Sequence, residues 1–194
     1  MPRLRLSNVP MLVVFLACTI AAISIKAERQ AMAAKQHDMS SGKAESDAVP
    51  DTCPVTKPLR QYVPPSPYPQ TPSANVFWFG SDHLWTNLPV DGTWKGLQHY
   101  KPSDPTFRQK LFLWRQFYDV HVEPQPELAV TGRRLDSYAP PLLADRASNG
   151  SVQQGQPFMV VGINFPTLGC WEIKAHYTGH YADDELTFVV WLGR

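Results

Sequence analysis

The sequence predicts an all-β protein, an antiparallel β-sandwich of immunoglobulin-like type with about seven short strands. Three apolar, β-rich runs separated by turn residues fill residues 157–193. From residue 75 to that point, short runs of Phe, Trp, Val and Leu alternate with Gly, Pro and Asp, and the signal for helices is weak. With 194 residues, 43% of them hydrophobic, the chain can hold one ordinary domain plus tails. We place that domain at residues 75–194.

The N-terminus carries the pattern of an export signal. Two arginines lie within the first five residues, and an apolar run follows from Met11 to Ile25. This run is short for a spanning helix, which needs about 20 apolar residues. We therefore expect a signal peptide over residues 1–27, cleaved near its end or as late as Ala33, although a retained anchor and a lipid on Cys18 remain alternatives. The predicted location is outside the cytoplasm: periplasmic, secreted or on the cell surface.

Two segments separate this signal from the domain. Residues 28–52 are polar and contain no aromatic residue, which predicts a disordered linker because such a segment buries too little apolar surface to offset its ordering entropy. Residues 53–74, here called the strap, contain seven prolines. Proline fixes φ and removes a donor, so we expect an extended strap along the domain surface.

The first half of the domain predicts several short strands. Residues 76–79 and 84–88 are β-rich, and Asp91-Gly92 is typical of a tight hairpin turn between strands. Residues 110–122 are enriched in Phe, Trp, Tyr and Val, which favours a strand although the alternation is not clean. Residues 127–135 alternate, with Leu128 and Val130 on one face.

The last three runs alternate with period two, which assigns each side chain to a face. The last two runs form a β-hairpin, and Cys170 lies on its outer face, where the strap could reach it. The inward positions are Met159, Val161, Ile163, Phe165, Trp171, Ile173, Ala175, Tyr177, Leu186, Phe188, Val190 and Leu192.

The cysteines favour one disulfide. If the signal is removed, Cys53 and Cys170 remain in an oxidising compartment, where disulfides persist. We expect them to pair and to attach the strap to the C-terminal strands. The alternative is a buried Cys170 thiol with Cys53 free or joined to a second chain.

Several motifs resemble those of a group of uncharacterised exported bacterial proteins, some of them lipoproteins. They are CPVT at 53–56, LWTNLPVDGTW at 84–94, GRRLDSYAPPL at 132–142, FPTLGCWEI at 165–173 and ELTFVVWL at 185–192. The resemblance implies an exported β-rich domain that contains both cysteines. The group has no established activity to transfer. The hairpin AHYTGHYADDE is longer here than the group leads us to expect.

Composition and motifs exclude some functions. A net charge of +1 argues against nucleic-acid binding, which needs a basic patch. The sequence contains no GxSxG, HExxH, phosphate-binding glycine loop or CxxC pair. No cofactor is predicted, and membrane contact is expected only through an uncleaved anchor or a lipid.

Three hypotheses follow. The preferred one is an exported, non-catalytic binding or structural module that contacts an envelope protein or a glycan through aromatics among Phe77, Trp78, Trp85 and Trp94. The second is a divalent-metal protein that uses the hairpin residues His176, His180 and Asp183, with Asp184 and Glu185 nearby; a solvated charged turn is the favoured interpretation of these residues. The third is an enzyme near Arg133, Arg134, Asp136 and Glu172, where we favour an Arg-Asp set that fixes a loop to the sheet.

Overall fold

The computed structural model describes residues 48–59, 61–99, 101, 103–151, 156–179 and 183–194, which belong to a compact unit spanning 46–194. The predicted signal peptide and most of the predicted linker lie outside the described residues. The described part contains no helix, and so no helix that could cross a membrane. The prediction of an all-β fold is confirmed.

Within these residues the chain forms eleven strands instead of about seven. Three of the strands are only two residues long, too short for any alternation to mark them. The strands are β1 (Val76–Gly80), β2 (Trp85–Pro89), β3 (Thr93–Trp94), β4 (Gln98–His99), β5 (Phe107–Trp114), β6 (Leu128–Arg134), β7 (Leu143–Ala144), β8 (Ser148–Ser151), β9 (Pro157–Phe165), β10 (Gly169–Thr178) and β11 (Asp183–Leu192).

The strands form two sheets that pack face to face. The seven-stranded sheet has the order β1-β2-β5-β9-β7, with β4 paired to β5 and β8 paired to β9. The four-stranded sheet has the order β3-β11-β10-β6. Aromatic contacts join the two sheets, as between Phe79 and Phe188 and between Phe165 and Trp171. The β-sandwich is therefore confirmed, whereas its immunoglobulin-like type stays a prediction.

The predicted faces of the last three strands are confirmed. All twelve inward positions are buried, and they join residues of β1, β2, β5 and β6 in one core. The β10–β11 hairpin pairs from Gly169–Leu192 to Thr178–Asp183. Period-two alternation decided these faces because each strand has one face toward the core.

The Asp91-Gly92 hairpin was predicted wrongly. Gly92 does adopt a positive φ of 70°. However, β3 pairs parallel with β11 and not with β2, so the turn passes the chain from one sheet to the other. A Cβ at position 92 would lie 2.6 Å from the Cβ of Val55 in the strap, so close packing requires glycine here.

The predicted strand over 110–122 is only partly correct. Strand β5 spans Phe107–Trp114, and an irregular segment follows to residue 127. Backbone hydrogen bonds fix this segment, from Gln116 N to Asp82 O at 3.0 Å and from Glu123 N to Asp119 O at 2.9 Å. Aromatic enrichment extended the prediction beyond the point where strand pairing ends.

The strap contacts both sheets and forms no strand among its described residues. Its start packs on the outer face of the four-stranded sheet, where Cys53 and Val55 meet Cys170 and Trp191. Thr56 and Val189 exchange two hydrogen bonds at 2.9 Å, so the strap pairs with part of β11. Farther along, its tyrosines pack on the outer face of the seven-stranded sheet. The strap thus links the outer faces of the sandwich.

Candidate functional site

The strap is held by the predicted disulfide. Cys53 and Cys170 are bonded, with their Cα atoms 5.7 Å apart, and both are buried. Cys170 lies on the outer face of β10, as the alternation predicted, and the strap covers it. The bond closes a separation of 117 residues.

The Arg-Asp set consists of two separate ion pairs. Arg133 Nε donates to Glu172 Oε1 at 2.7 Å, but the Arg133 side chain is 71% exposed, so this is a surface pair of small energetic value. Arg134 binds Asp136 through two nitrogens, at 2.7 and 3.1 Å. Adjacent residues of a strand point to opposite faces, so the two arginines do not converge on one ligand.

Asp136 has a structural position. It accepts hydrogen bonds from Arg134 and from the backbone N–H of Cys170, the latter at 3.2 Å. The hydrogen bond from Arg134 lowers the pKa of the Asp136 carboxyl below its usual 3.8. Gly169 has a φ of 129°, and a Cβ there would lie 2.6 Å from the Arg134 guanidinium. The set therefore ties the loop after β6 to the start of β10.

The hairpin residues do not assemble a metal site in the described part of the chain. His176 Nε2 lies 3.9 Å from Asp183 Oδ2, whereas Glu185 pairs with Lys174 at 2.6 Å. Asp184 points to the other face. The described residues contain no group of three or more His, Cys, Asp or Glu that could hold a metal ion. His180 lies outside them, so its proposed role has no structural test here.

Polar side chains also fix the segment that follows β5. Arg115 Nη1 donates to the Tyr177 hydroxyl at 3.1 Å, and the guanidinium carbon lies 4.6 Å from the centroid of that ring. The Tyr177 hydroxyl in turn donates to the Glu123 carboxylate. Burial, together with this hydrogen bond, raises the pKa of Tyr177 to about 12. The phenol therefore stays protonated at neutral pH, and the group anchors the loop instead of supplying a base.

The four predicted contact aromatics do not form an exposed surface. Phe77 and Trp94 belong to the core between the sheets. Trp78 and Trp85 lie on the outer face of the seven-stranded sheet, but the strap covers them and both are buried. The expectation that these side chains are exposed was wrong, because the local sequence shows neither that Phe77 and Trp94 face the core nor that the strap covers Trp78 and Trp85.

Trp78 and Trp85 instead form part of an aromatic cluster beneath the strap. Trp78 packs edge-on against Trp114, with centroids 5.1 Å apart, and Tyr68 of the strap packs edge-on against Trp85 at 5.0 Å. The Trp78 indole donates to Pro69 O at 3.0 Å, and the Tyr68 hydroxyl donates to Arg115 O at 3.1 Å. These bonds hold the strap above the cluster.

Between strap and sheet lies a cavity of about 240 Å³, here called the strap cavity. Aromatic rings and prolines make up most of its wall, and side-chain amides and hydroxyls make up the rest. It is lined by Tyr68, Pro69, Thr71, Pro72, Ser73, Trp78, Trp85, Asn87, Trp114 and Gln156. Ligand sites have this composition, mostly apolar with a few placed polar groups.

The polar groups of the strap cavity have unused hydrogen-bonding capacity. The side chains of Thr71, Ser73 and Asn87 make no hydrogen bond with the described residues. Gln156 donates its Nε2 to Pro67 O, which leaves its side-chain oxygen available. No charged side chain among the described residues lines the cavity. This wall can therefore bind a neutral ligand that is partly apolar and carries hydroxyl groups.

Most of this site was not predicted from the sequence. Trp114, Tyr68, Asn87 and Gln156 were not singled out. A signal was present, because Trp78, Trp85 and Trp114 occupy outward positions of three strands that pair side by side. Three large aromatics on an outer face indicate that something covers that face.

Comparison with protein-family models, curated proteins and solved structures found no match to this chain.

Proposed function

We propose that the chain is an exported, non-catalytic binding module of the cell envelope and that its ligand occupies the strap cavity. The observation that carries this proposal is the cavity wall, in which buried aromatic rings lie beside the side chains of Thr71, Ser73 and Asn87, which make no hydrogen bond with the described residues. The hydroxyls of Thr71 and Ser73 are exposed and the Asn87 amide is half-buried, so a ligand in the cavity can replace the water that they would otherwise bind.

The absence of charge at the described wall favours binding over catalysis. General acid–base catalysis needs a titratable group near the reacting atoms, and covalent catalysis needs an activated nucleophile. Thr71 and Ser73 have no histidine, carboxylate or lysine beside them in the wall. The part of the wall that the structure describes supplies contact area and hydrogen bonds.

Two features support export. The N-terminal sequence has the pattern of a signal peptide. The Cys53–Cys170 bond is of a kind that persists in oxidising compartments and is rare in the cytosol. The resemblance to exported bacterial proteins agrees with both and supports a location in the cell envelope.

Retention of the exported, disulfide-bonded protein on envelope fractions tests this proposal. The cavity variant carries Thr71→Val and Asn87→Leu. The control variant carries Thr187→Val and Asn164→Leu, which make the same changes at one exposed and one half-buried position outside the cavity wall. Both control positions lie on outer sheet faces.

We expect the cavity variant to lose retention by about fivefold or more, because two hydrogen bonds contribute about 1–3 kcal/mol together. The control variant should be retained like the wild type. Equal retention of all three proteins would overturn the proposal. Circular dichroism and melting curves confirm beforehand that each variant is folded.

A further inference from the structure

We infer that the ligand of the strap cavity is one neutral pyranose ring, either a free sugar or the terminal unit of a glycan. This inference rests on the proposed function and adds the chemical class of the ligand. It draws on the size of the cavity, its lack of charge and the arrangement of its apolar and polar groups.

Size limits the ligand to one ring. The volume of about 240 Å³ lies below the roughly 300–1,000 Å³ of pockets for drug-sized ligands. A single six-membered ring with its hydroxyls fits such a volume, whereas a disaccharide or a peptide segment does not. Further sugar units would extend into solvent.

The absence of charge selects against ionic ligands. Burying a carboxylate or an ammonium group without a partner is costly, and the described wall offers no opposite charge. Aromatic rings alone can hold a quaternary ammonium through cation–π contacts. Here, however, Tyr68 and Trp85, and likewise Trp78 and Trp114, are in direct contact, with centroids 5.0 and 5.1 Å apart, which leaves no space for a cation between the two rings of either pair. The amides and hydroxyls of the wall find no hydrogen-bonding partner on a quaternary ammonium group.

A pyranose matches both parts of the wall. Its C–H faces are apolar and can pack on Trp78 and Trp114, while its hydroxyl rim needs donors and acceptors. The Asn87 amide supplies both kinds of group, the Thr71 hydroxyl can donate or accept, and the Gln156 side-chain oxygen accepts.

The wall is also fixed before a ligand enters. Trp78 donates to Pro69 O at 3.0 Å and thereby sets both its own ring and the strap opposite it. The Tyr68 hydroxyl holds a second point of the strap on Arg115 O, and Gln156 Nε2 holds a third on Pro67 O. A site formed in advance lowers the ordering entropy that binding costs.

Calorimetric titration of the exported, disulfide-bonded protein tests the inference. The neutral probes are the methyl glycosides of glucose, galactose, mannose and N-acetylglucosamine. Glucuronic acid and glucosamine are charged counterparts of similar size, and choline and a proline-rich peptide represent the other ligands that aromatic walls accept. Each probe is titrated into the wild type, the Thr71→Val/Asn87→Leu variant and the Thr187→Val/Asn164→Leu control.

We expect at least one neutral glycoside to bind the wild type and the control equally. The neutral glycoside should bind the cavity variant at least about fivefold more weakly than the wild type, and the charged counterparts should bind the wild type at least about fivefold more weakly than the neutral glycoside does. Binding that is equal in the cavity variant would place the sugar elsewhere and overturn the inference. Binding of choline or the peptide, with none of the neutral glycosides, would also overturn it.

Retention on envelope fractions distinguishes a wrong ligand class from a wrong proposed function. If retention depends on the cavity but no neutral glycoside binds, the ligand class is wrong and the proposed function stands. If retention is independent of the cavity and no probe binds, both are wrong.

Discussion

Replacing Cys53 and Cys170 together by alanine tests how much the strap depends on its disulfide. The bond closes a separation of 117 residues. The chain-entropy treatment gives about 5 kcal/mol of stabilisation for a loop of this length, and removal of a native disulfide typically costs about 2–5 kcal/mol. We expect the double variant to lose stability within that range. For a domain of this size the midpoint of thermal unfolding falls by about 2–4 °C per kcal/mol, so the expected drop is about 4–20 °C.

Urea unfolding of the wild type and the double variant, followed by circular dichroism, measures this loss. Wild-type protein treated with a reductant provides a second comparison and should lose a similar amount. Thiol counting on unreduced wild-type protein must first show no free thiol at either position. A loss below about 1 kcal/mol, or two free thiols in the exported protein, would refute the reasoning, since the loop-closure entropy would then be absent.

Two further predictions concern the Asp136 carboxylate and the glycines at positions 80 and 96. Asp136→Asn should cost about 1–3 kcal/mol at pH 7, because it removes the charged acceptor of Arg134. The Asp136 carboxyl has a lowered pKa in the folded protein, so its contribution is complete above the usual 3.8 and is lost as the pH falls through the lowered value. Urea unfolding at pH 7, 5 and 3 checks this, and an unchanged difference at pH 3 would contradict it. Gly80→Ala should cost more than Gly96→Ala. Both glycines have positive φ, but a Cβ at 80 would lie 2.3 Å from Leu84 O, whereas a Cβ at 96 would meet nothing within 4 Å. Equal losses in thermal unfolding would contradict the steric part of this argument.

The β-sandwich could be predicted from the sequence because the alternation that marks a strand lies within a few consecutive residues. In β9 to β11, inward and outward positions alternate, and the outward residues are buried only where the strap covers them, at Cys170 and Trp191. The same rule placed Cys170 on the outer face and so allowed the pairing with Cys53. One strand needs no information from the rest of the chain for such an assignment.

The strap cavity could not be predicted from the sequence because it is formed by residues that are far apart along the chain. The path of the strap is set where Tyr68 meets Trp85 and where Thr56 pairs with Val189, 133 residues away in sequence. The same limitation explains the wrong hairpin at Asp91-Gly92, where the following strand pairs with the far end of the chain. Turn residues indicate that the chain bends, but they do not show with which strand the next strand pairs.

The most direct test of the account uses the indole N–H resonances of the six tryptophans. Three tryptophans line the strap cavity and three lie elsewhere in the sandwich. The cavity group is Trp78, Trp85 and Trp114, and the other group is Trp94, Trp171 and Trp191. Two-dimensional ¹⁵N–¹H spectra are recorded while a neutral methyl glycoside is added to the ¹⁵N-labelled, disulfide-bonded protein. We predict saturable shifts of the cavity group and unchanged resonances of the other group. Unmoved cavity resonances with all four neutral glycosides, or shifts confined to the other group, would contradict the claim that the strap cavity binds a neutral sugar.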